Sequence, residues 1–170
     1  MSAALALLVA VGVNTASVAL EGEWRWLTRA FGRRAWIVHS AMIIPPWAWF
    51  VVALGGIRPG PTPPPLARAA GVVAEMLGYA LVLIGFGTIG AAAAVNGDLF
   101  GLVPPTRKNG WRVRWIRDPI YLGYAGILAG RALRRGSPSL HFIAVEALTL
   151  LTAEARVEDW AAGRAAARQA

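Results

Sequence analysis

Long apolar stretches are the feature that most constrains this chain. Residues 2–20, 35–57 and 69–95 are each apolar over about the 20 residues that an α-helix needs to cross the hydrocarbon core of a membrane. Two shorter apolar stretches follow at 119–133 and 139–157. Because only helices and closed barrels satisfy their backbone groups in lipid, we expect an all-α integral membrane protein. The expected architecture is a bundle of four to five transmembrane helices with a C-terminal helical hairpin.

The composition favours a membrane protein over a soluble one. Hydrophobic residues make up 56% of the 170 positions and charged residues 15%, which leaves too little polar surface to cover a soluble fold of this size. The chain has no cysteine, so disulfides, thiolate metal sites and cysteine nucleophiles are excluded. The net charge of +8 is spread between the apolar segments, so we expect a lipid bilayer as the partner and no nucleic acid.

The basic residues orient the predicted helices. The predicted spans place twelve of the 17 lysines and arginines on one side of the membrane: Arg25, Arg29, Arg33, Arg34, Arg107, Lys108, Arg112, Arg114, Arg117, Arg156, Arg164 and Arg168. The other five are Arg58, Arg68, Arg131, Arg134 and Arg135. Since basic residues concentrate on the inner side, we expect the 96–118 loop and the C-terminus in the cytoplasm. The composition, rich in alanine and arginine, suits a bacterial inner membrane, and the N-terminus is expected to stay as a first span because it lacks a positive n-region.

Prolines mark one linker and one irregular helix. The sequence "RPGPTPPPLAR", residues 58–68, is too rich in proline for a helix and predicts a short, stiff connection on one membrane face. Pro45 and Pro46 predict a kink near the middle of the second span. We expect one membrane domain over 1–170, with the N-terminal helices in 1–68.

Acidic residues in the last apolar stretch are candidates for chemistry, because an ionisable group inside a membrane is costly. Glu146, Glu154 and Glu158 recur at spacings of eight and four, which predicts that they point along one face of a helix. Asp159 extends this acidic face. Two interpretations remain open for Glu154, Glu158 and Asp159: a functional site, or a solvated helix end that pairs with Arg156 or the loop arginines. Glu146 lies deeper and is harder to explain as a helix end.

The sequence "WIRDPIYLGY" places charge at the edge of the fourth apolar stretch. Proline in the first helical turn with aspartate before it is an ordinary helix start, in which Asp118 caps free N–H groups ahead of Pro119. The positive end of that helix and Arg117 together also suit a carboxylate or phosphate. Both interpretations can hold at once.

The glycines and histidines do not by themselves indicate a nucleotide-binding site or a metal site. The glycines at 78, 85, 87, 90, 126 and 130 are expected to be helix-packing contacts. "GFGTIG" is not a dinucleotide-binding fingerprint, because it lies inside an apolar span with no strand before it. His39 and His141 are too isolated to suggest a metal site.

The order and spacing of several short motifs resemble one family. "GDLFGL", "RDPIYLG", "SP" and an apolar helix with an acidic pair at its end are similar to the phospholipid N-methyltransferases of the phosphatidylethanolamine N-methyltransferase type. These belong to a wider membrane group that includes the isoprenylcysteine carboxyl methyltransferases. The likeness covers about half of the chain, 77–159. It implies a methyltransferase core over 69–160, a short cytoplasmic tail at 161–170 and S-adenosylmethionine as the cofactor.

The resemblance also implies site residues, with one departure in each motif. The Gly-x-Gly element falls on Met76-Leu77-Gly78, the Asn/His-Pro-x-Tyr element on Asp118-Pro119-Ile120-Tyr121, and the Glu-Glu pair on Glu158-Asp159. The tail "WAAGRAAARQA" lacks the aromatic pattern of the isoprenylcysteine enzymes, which favours the phospholipid branch. The cofactor-binding residues expected on this basis, together with the anion site above, are Leu77, Gly78, Arg117, Asp118, Pro119, Tyr121, Glu158 and Asp159.

Methyl transfer to a lipid amine adds further expectations. The amine must lose a proton before it attacks, and the candidate bases are Glu146, His141, Tyr121 and Asp98. Arg107 or Arg112 would hold the lipid phosphate, and no metal is expected. The alternatives are a related methyltransferase that acts on an isoprenylcysteine carboxylate, a thiol or another lipid, and a non-catalytic membrane protein on the same scaffold.

Overall fold

The computed structural model describes residues 2–96 and 119–167, and this part of the chain is helical throughout apart from short connections. The helices are α1 Ala3–Trp24, α2 Trp26–Phe31, α3 Ala35–Gly55, α4 Pro65–Asn96, α5 Pro119–Arg135 and α6 Pro138–Ala167, with a 3₁₀ turn at Gly32–Arg34. The expected all-α class is therefore confirmed for the described residues.

Three helices are long and apolar enough to cross a membrane. They are α1, the Ile37–Gly55 part of α3 and the Pro65–Gly87 part of α4. The other two long helices, α5 and α6, are not among the three candidates in the described part of the chain. These helices support a helical membrane protein. The expected number of four to five spans stays a prediction.

Two helices are longer than predicted: α4 begins earlier and α6 ends later. The predicted linker is non-helical only up to residue 64, and the expectation is wrong for 65–68, because α4 already begins at Pro65. Proline fits the first turn of a helix, where its missing N–H has no partner to lose. α3 continues through Pro45 and Pro46 without a break in its helical assignment. α6 extends to Ala167, so most of the expected tail belongs to it.

A buried carboxylate shapes the corner between α1 and α2. Arg25 ends α1 in the left-handed conformation, with φ of 51°, and its N–H bonds to the carbonyl of Glu21. The Glu21 side chain accepts hydrogen bonds from the backbone N–H of Leu27 at 2.8 Å and of Thr28 at 3.3 Å, and also from the Thr28 hydroxyl. The free N–H groups of α2 are therefore capped by a glutamate from the preceding helix.

Side-chain contacts give the relative directions of the helices. Gly22 packs against Ala161, and Asn14 bonds to Glu154, so α1 and α6 run in parallel. α3 runs antiparallel to α1, with Ser17 Oγ and His39 Nδ1 2.9 Å apart near the start of α3. The main apolar core lies among α1, α3, α5 and α6 and contains Leu7, Val11, Phe50, Leu54, Leu128, Leu140 and Leu151.

α4 packs on α5 in the antiparallel direction through glycines. A Cβ atom added at Gly78 would lie 2.6 Å from the carbonyl oxygen of Gly123, and one at Gly130 would lie 2.6 Å from the backbone N of Glu75. The expected packing role is confirmed for the glycines at 78, 85, 126 and 130. It is wrong for Gly87, where an added Cβ atom would have nothing within 4 Å. The glycines let the two backbones approach closely, as small residues do in membrane helix pairs.

These directions define two ends of the bundle. At one end, called the site end below, α1, α4 and α6 finish and α5 begins. At the other, the linker end, Gly60 of the proline-rich linker donates its N–H to the carbonyl of Arg135 at 3.0 Å. The described basic residues divide between the ends as the predicted spans divide them, with Arg25 and Arg164 at the site end and Arg58 and Arg135 at the linker end. Which end faces the cytoplasm stays a prediction.

An ion-pair cluster ties α4 to α5 near the linker end. Glu75 is only 8% exposed, and its carboxylate accepts from Arg131 Nε at 2.8 Å and pairs with Arg134 Nη2 at 3.0 Å. Arg131 also donates to the Tyr79 hydroxyl at 2.6 Å. Sequence reasoning missed Glu75, although a carboxylate inside an apolar span was itself a signal for a buried partner.

We expect Glu75→Gln to lower the free energy of unfolding by about 1–3 kcal/mol, because two arginines then lose the buried carboxylate that they share. The measurement is thermal or denaturant unfolding of the purified protein in detergent. Glu23→Gln is the matched control, since Glu23 and Arg164 are 3.7 Å apart, with Arg164 exposed and Glu23 partly exposed, and exposed pairs contribute roughly 0–1 kcal/mol. Equal losses in both variants would contradict a structural role for the Glu75 cluster.

Candidate functional site

Polar side chains from three helices meet towards the site end of the bundle. They are Asn14 from α1, Tyr121 from α5, and Glu154 and Glu158 from α6. Glu154 and Glu158 are four residues apart, so they lie on one face of α6 about one turn from each other. We call these four residues the interhelical cluster.

Glu154 is the buried member of the interhelical cluster. Its side chain is 1% exposed, and the Asn14 amide donates to its Oε1 atom. Tyr121 and Glu158 both lie close enough to its carboxyl group to interact with it. The interpretation of Glu154 as part of a solvated helix end is therefore wrong, because α1 covers this side of α6.

Tyr121 and Glu158 join two of the sequence motifs. The Tyr121 hydroxyl donates to Glu158 Oε1, across 37 residues of sequence. Pro119 is the first residue of α5, as the sequence predicts, so Tyr121 lies in the first turn of that helix. Glu158 is half-buried and Asp159 is exposed, so the two members of the acidic pair have different surroundings.

Two buried oxygen atoms of the interhelical cluster have no partner among the described residues. Neither Asn14 Oδ1 nor Glu154 Oε2 accepts a hydrogen bond in the described part of the structure. A buried acceptor without a donor costs free energy, and such atoms often mark the place of a bound molecule. The interhelical cluster thus presents acceptors and negative charge, which suits a ligand with N–H groups or a positive charge.

The first turn of α5 adds the opposite sign of charge. The start of a helix carries a partial positive charge from its backbone N–H groups, and this charge favours an anionic group nearby. Tyr121 lies in this turn and reaches Glu158. The described part of the site therefore offers both an acidic side and an electropositive helix end, separated by little more than one side chain.

The structure does not bring all of the predicted site residues together. His141 precedes Glu158 by 17 residues of the same helix, which is about 26 Å along its axis. Its ring Nδ1 lies 2.9 Å from the carbonyl oxygen of Ser137, the residue just before α6. Glu146 is about 18 Å from Glu158 by the same measure, and its Oε2 atom lacks a partner among the described residues.

The predicted glycine element lies on α4. Leu77 is 60% exposed, on a face of α4 that the bundle does not cover. Gly78 is buried against Gly123 and Ile127 of α5. Since Gly123 follows Tyr121 by two residues, Gly78 lies near the level of the site, and helix packing by itself accounts for a glycine there. A backbone contact between Gly78 and a cofactor stays a prediction.

Several expectations fall outside the described residues. These are the predicted base Asp98, the predicted phosphate ligands Arg107 and Arg112, Arg117 and Asp118 of the predicted anion site, and the surroundings of Gly90. Within the part that the structure does describe, there is no group of three or more side chains that could hold a metal ion.

Asn14 is the site residue that sequence reasoning missed altogether. It is an amide in the middle of a largely apolar first span. Polar side chains at such positions commonly hydrogen-bond to another membrane helix, which is the signal that could have drawn attention to it. Its partner could not be predicted, because Glu154 is 140 residues away in the sequence.

Searches of protein-family models, curated proteins and solved structures find no match for this chain.

Proposed function

We propose that this protein is an integral membrane methyltransferase, which transfers methyl groups from S-adenosylmethionine to the amine of a phospholipid. The substrates would be phosphatidylethanolamine and its methylated derivatives, on the way to phosphatidylcholine. The observation that carries the proposal is the hydrogen bond from Tyr121 to Glu158. The family resemblance assigns both of these residues to motifs that bind the cofactor. The hydrogen bond joins those motifs across α5 and α6, a contact that the sequence alone does not predict.

The chemistry of the site fits the cofactor. S-adenosylmethionine carries a sulfonium, an ammonium and hydroxyl groups, which suit Glu158 and Asp159 as anionic acceptors. Its carboxylate suits the start of α5 at Pro119, together with Arg117. When bound, the cofactor supplies an electrophilic methyl group. The residues of the chain bind it, orient it and keep water from the reacting atoms.

The membrane arrangement follows from the same chemistry. S-adenosylmethionine is water-soluble, so the site end would face the cytoplasm, in agreement with the distribution of basic residues. The lipid would enter sideways, with its phosphate held by Arg107 or Arg112. In this arrangement α5 and α6 form the C-terminal hairpin and complete four to five spans in a bacterial inner membrane. Among the candidate bases, Tyr121 belongs to the site, whereas His141 and Glu146 lie far from it along α6.

The experiment that tests the proposal is methyl transfer from radiolabelled S-adenosylmethionine to total lipid by the purified protein, with the products resolved by chromatography. We expect label in the methylated derivatives of phosphatidylethanolamine. Label in another acceptor would indicate a related methyltransferase of the same architecture. Absence of both cofactor binding and label would contradict the proposal and favour a non-catalytic membrane protein.

A further inference from the structure

We propose that Asn14 and Glu154 form the binding site for the ammonium group of the methyl acceptor, and that Glu154 accepts its proton before methyl transfer. This inference rests on the proposed function and deepens it, because it assigns the acceptor side of the same site. It also adds a residue of the first helix, which lies outside the segment that carries the family resemblance.

Two acceptor atoms of the Asn14–Glu154 pair lack a donor among the described residues. Asn14 Nδ2 and Glu154 Oε1 are bonded to each other, which leaves Asn14 Oδ1 and Glu154 Oε2 without donors in the described structure. Each of these oxygens shares a planar group with an atom of that hydrogen bond, so both lie at the contact between α1 and α6. Both are buried, so bulk water does not satisfy them.

An ammonium group matches this arrangement better than other ligands do. It presents several N–H donors from one nitrogen atom, so one group can serve both oxygens. Its positive charge also compensates the carboxylate of Glu154, which is 1% exposed and has no basic side chain bonded to it among the described residues. A carboxylate or phosphate at the same place would meet Glu154 as a like charge. The site therefore selects an amine acceptor over an anionic one.

A purely structural role explains the pair less completely. Hydrogen bonds between polar side chains do hold membrane helices together, and Asn14 with Glu154 joins α1 to α6 in this way. An amide or a hydroxyl at position 154 would serve that purpose without burying an ionisable group. The carboxyl group adds a second acceptor and a site for a proton, and the proposed reaction needs both.

The position of Glu154 along α6 would place the amine next to a cofactor that is bound at Glu158. Glu158 is four residues nearer the end of α6, or about 6 Å along its axis. A cofactor held at Glu158 would then lie on the outer side and the amine of a lipid one turn deeper. Tyr121 donates its hydroxyl proton to Glu158 and lies near the Glu154 carboxyl group, so it lies at the boundary between the two subsites.

The proposed step is balanced in protons and electrons. The ammonium transfers one proton to the Glu154 carboxylate, which becomes a carboxylic acid, and the neutral amine is left with a lone pair. That lone pair forms a bond to the methyl carbon of the sulfonium as the carbon–sulfur bond breaks, and the electrons of the broken bond remain on sulfur as a neutral thioether. The product is a methylated ammonium, and Glu154 later releases its proton to solvent.

The test compares wild-type protein with Glu154→Gln, which keeps the shape of the side chain and its bond to Asn14 but loses the charge. Three quantities are measured in detergent: cofactor affinity by calorimetry, methyl transfer, and thermal stabilisation by dioctanoyl phosphatidylethanolamine against its N-acetyl derivative. We expect wild-type protein to prefer the amine lipid by about tenfold, the gain from a charge-assisted hydrogen bond. The variant should lose this preference and at least about 100-fold in methyl transfer, while its cofactor affinity changes less than about threefold.

Other outcomes are equally informative. Equal binding of the two lipids by wild-type protein, or a preference that survives in Glu154→Gln, would overturn the inference. A large loss of cofactor affinity in the variant would also overturn it, because Glu154 would then belong to the cofactor. If wild-type protein prefers the amine but transfers no methyl group, the amine site stands and the methyltransferase proposal fails. Should Glu154→Gln not fold, Asn14→Ala replaces it with the same expected loss of lipid preference, and a retained preference overturns the inference.

Discussion

Replacing Glu158 with glutamine is expected to lower the affinity for S-adenosylmethionine by roughly 10- to 100-fold, because hydrogen bonds to a charged group contribute about 1.5–3 kcal/mol. The side chain keeps its size and can still accept from the Tyr121 hydroxyl, so α5 and α6 should remain packed. Methyl transfer at low cofactor concentration should fall by the same factor. Calorimetry in detergent measures the affinity directly, and an unchanged melting temperature shows that the variant is folded.

Two further variants test whether the loss of cofactor affinity is specific to Glu158. Glu23→Gln makes the same chemical change near the same end of the bundle, on a partly exposed residue of α1, and should leave cofactor affinity unchanged. Tyr121→Phe removes only the hydroxyl that donates to Glu158. Its expected loss is about tenfold or less, since the carboxylate keeps its charge but loses the group that orients it. Wild-type affinity in Glu158→Gln would remove Glu158 from the cofactor site.

Adding one methyl group at the α4–α5 contact is expected to destabilise the protein strongly. In Gly78→Ala and Gly130→Ala the new carbon would lie 2.6 to 2.7 Å from backbone atoms of the facing helix, which cannot rotate away as a side chain can. We expect each variant to lose about 2–3 kcal/mol, the upper part of the range for overpacking, and roughly 5–10 °C in Tm. Thermal unfolding in detergent, followed by circular dichroism, is the measurement.

Gly87→Ala is the matched control for these variants. It lies on the same helix, but an added Cβ there has nothing within 4 Å. Because alanine is the better helix former, this variant should be unchanged or gain up to about 1 kcal/mol. If all three variants had the same melting temperature, the close contact between α4 and α5 would be wrong. For Gly78→Ala, normal stability with a loss of cofactor affinity would instead favour the predicted backbone contact to the cofactor.

Much of the fold can be predicted because its signals are local. Apolar length predicts α1, α3 and α4 within a few residues at most ends, and Pro119 predicts the start of α5. The errors occur where a local rule competes with another. Proline at residue 65 counts as a helix breaker in a proline-rich linker, although at a first turn it is a helix starter. Apolar length underestimates α6, because its polar last turns do not look like a membrane span, yet they remain helical.

The candidate site can be predicted only in part. Motif order singles out Tyr121 and Glu158, and the structure places them in contact. On a lone helix Glu154 is indistinguishable from its exposed neighbours, so the sequence leaves a solvated helix end open as its explanation. Sequence reasoning missed Asn14 and Glu75, since the apolar character of the spans that contain them outweighs the few polar residues in each.

By itself, the sequence determined that the described part of the chain is helical, that it contains long apolar segments suited to a bilayer, and where most of its helices begin. These properties depend on residues near one another in the chain, through hydrogen bonds and hydrophobicity that are summed over one segment. Only the tertiary structure decided that Asn14 reaches Glu154 and that Tyr121 reaches Glu158. Those contacts depend on which helix faces run against each other, and that choice is made by glycine contacts and buried polar pairs between distant segments.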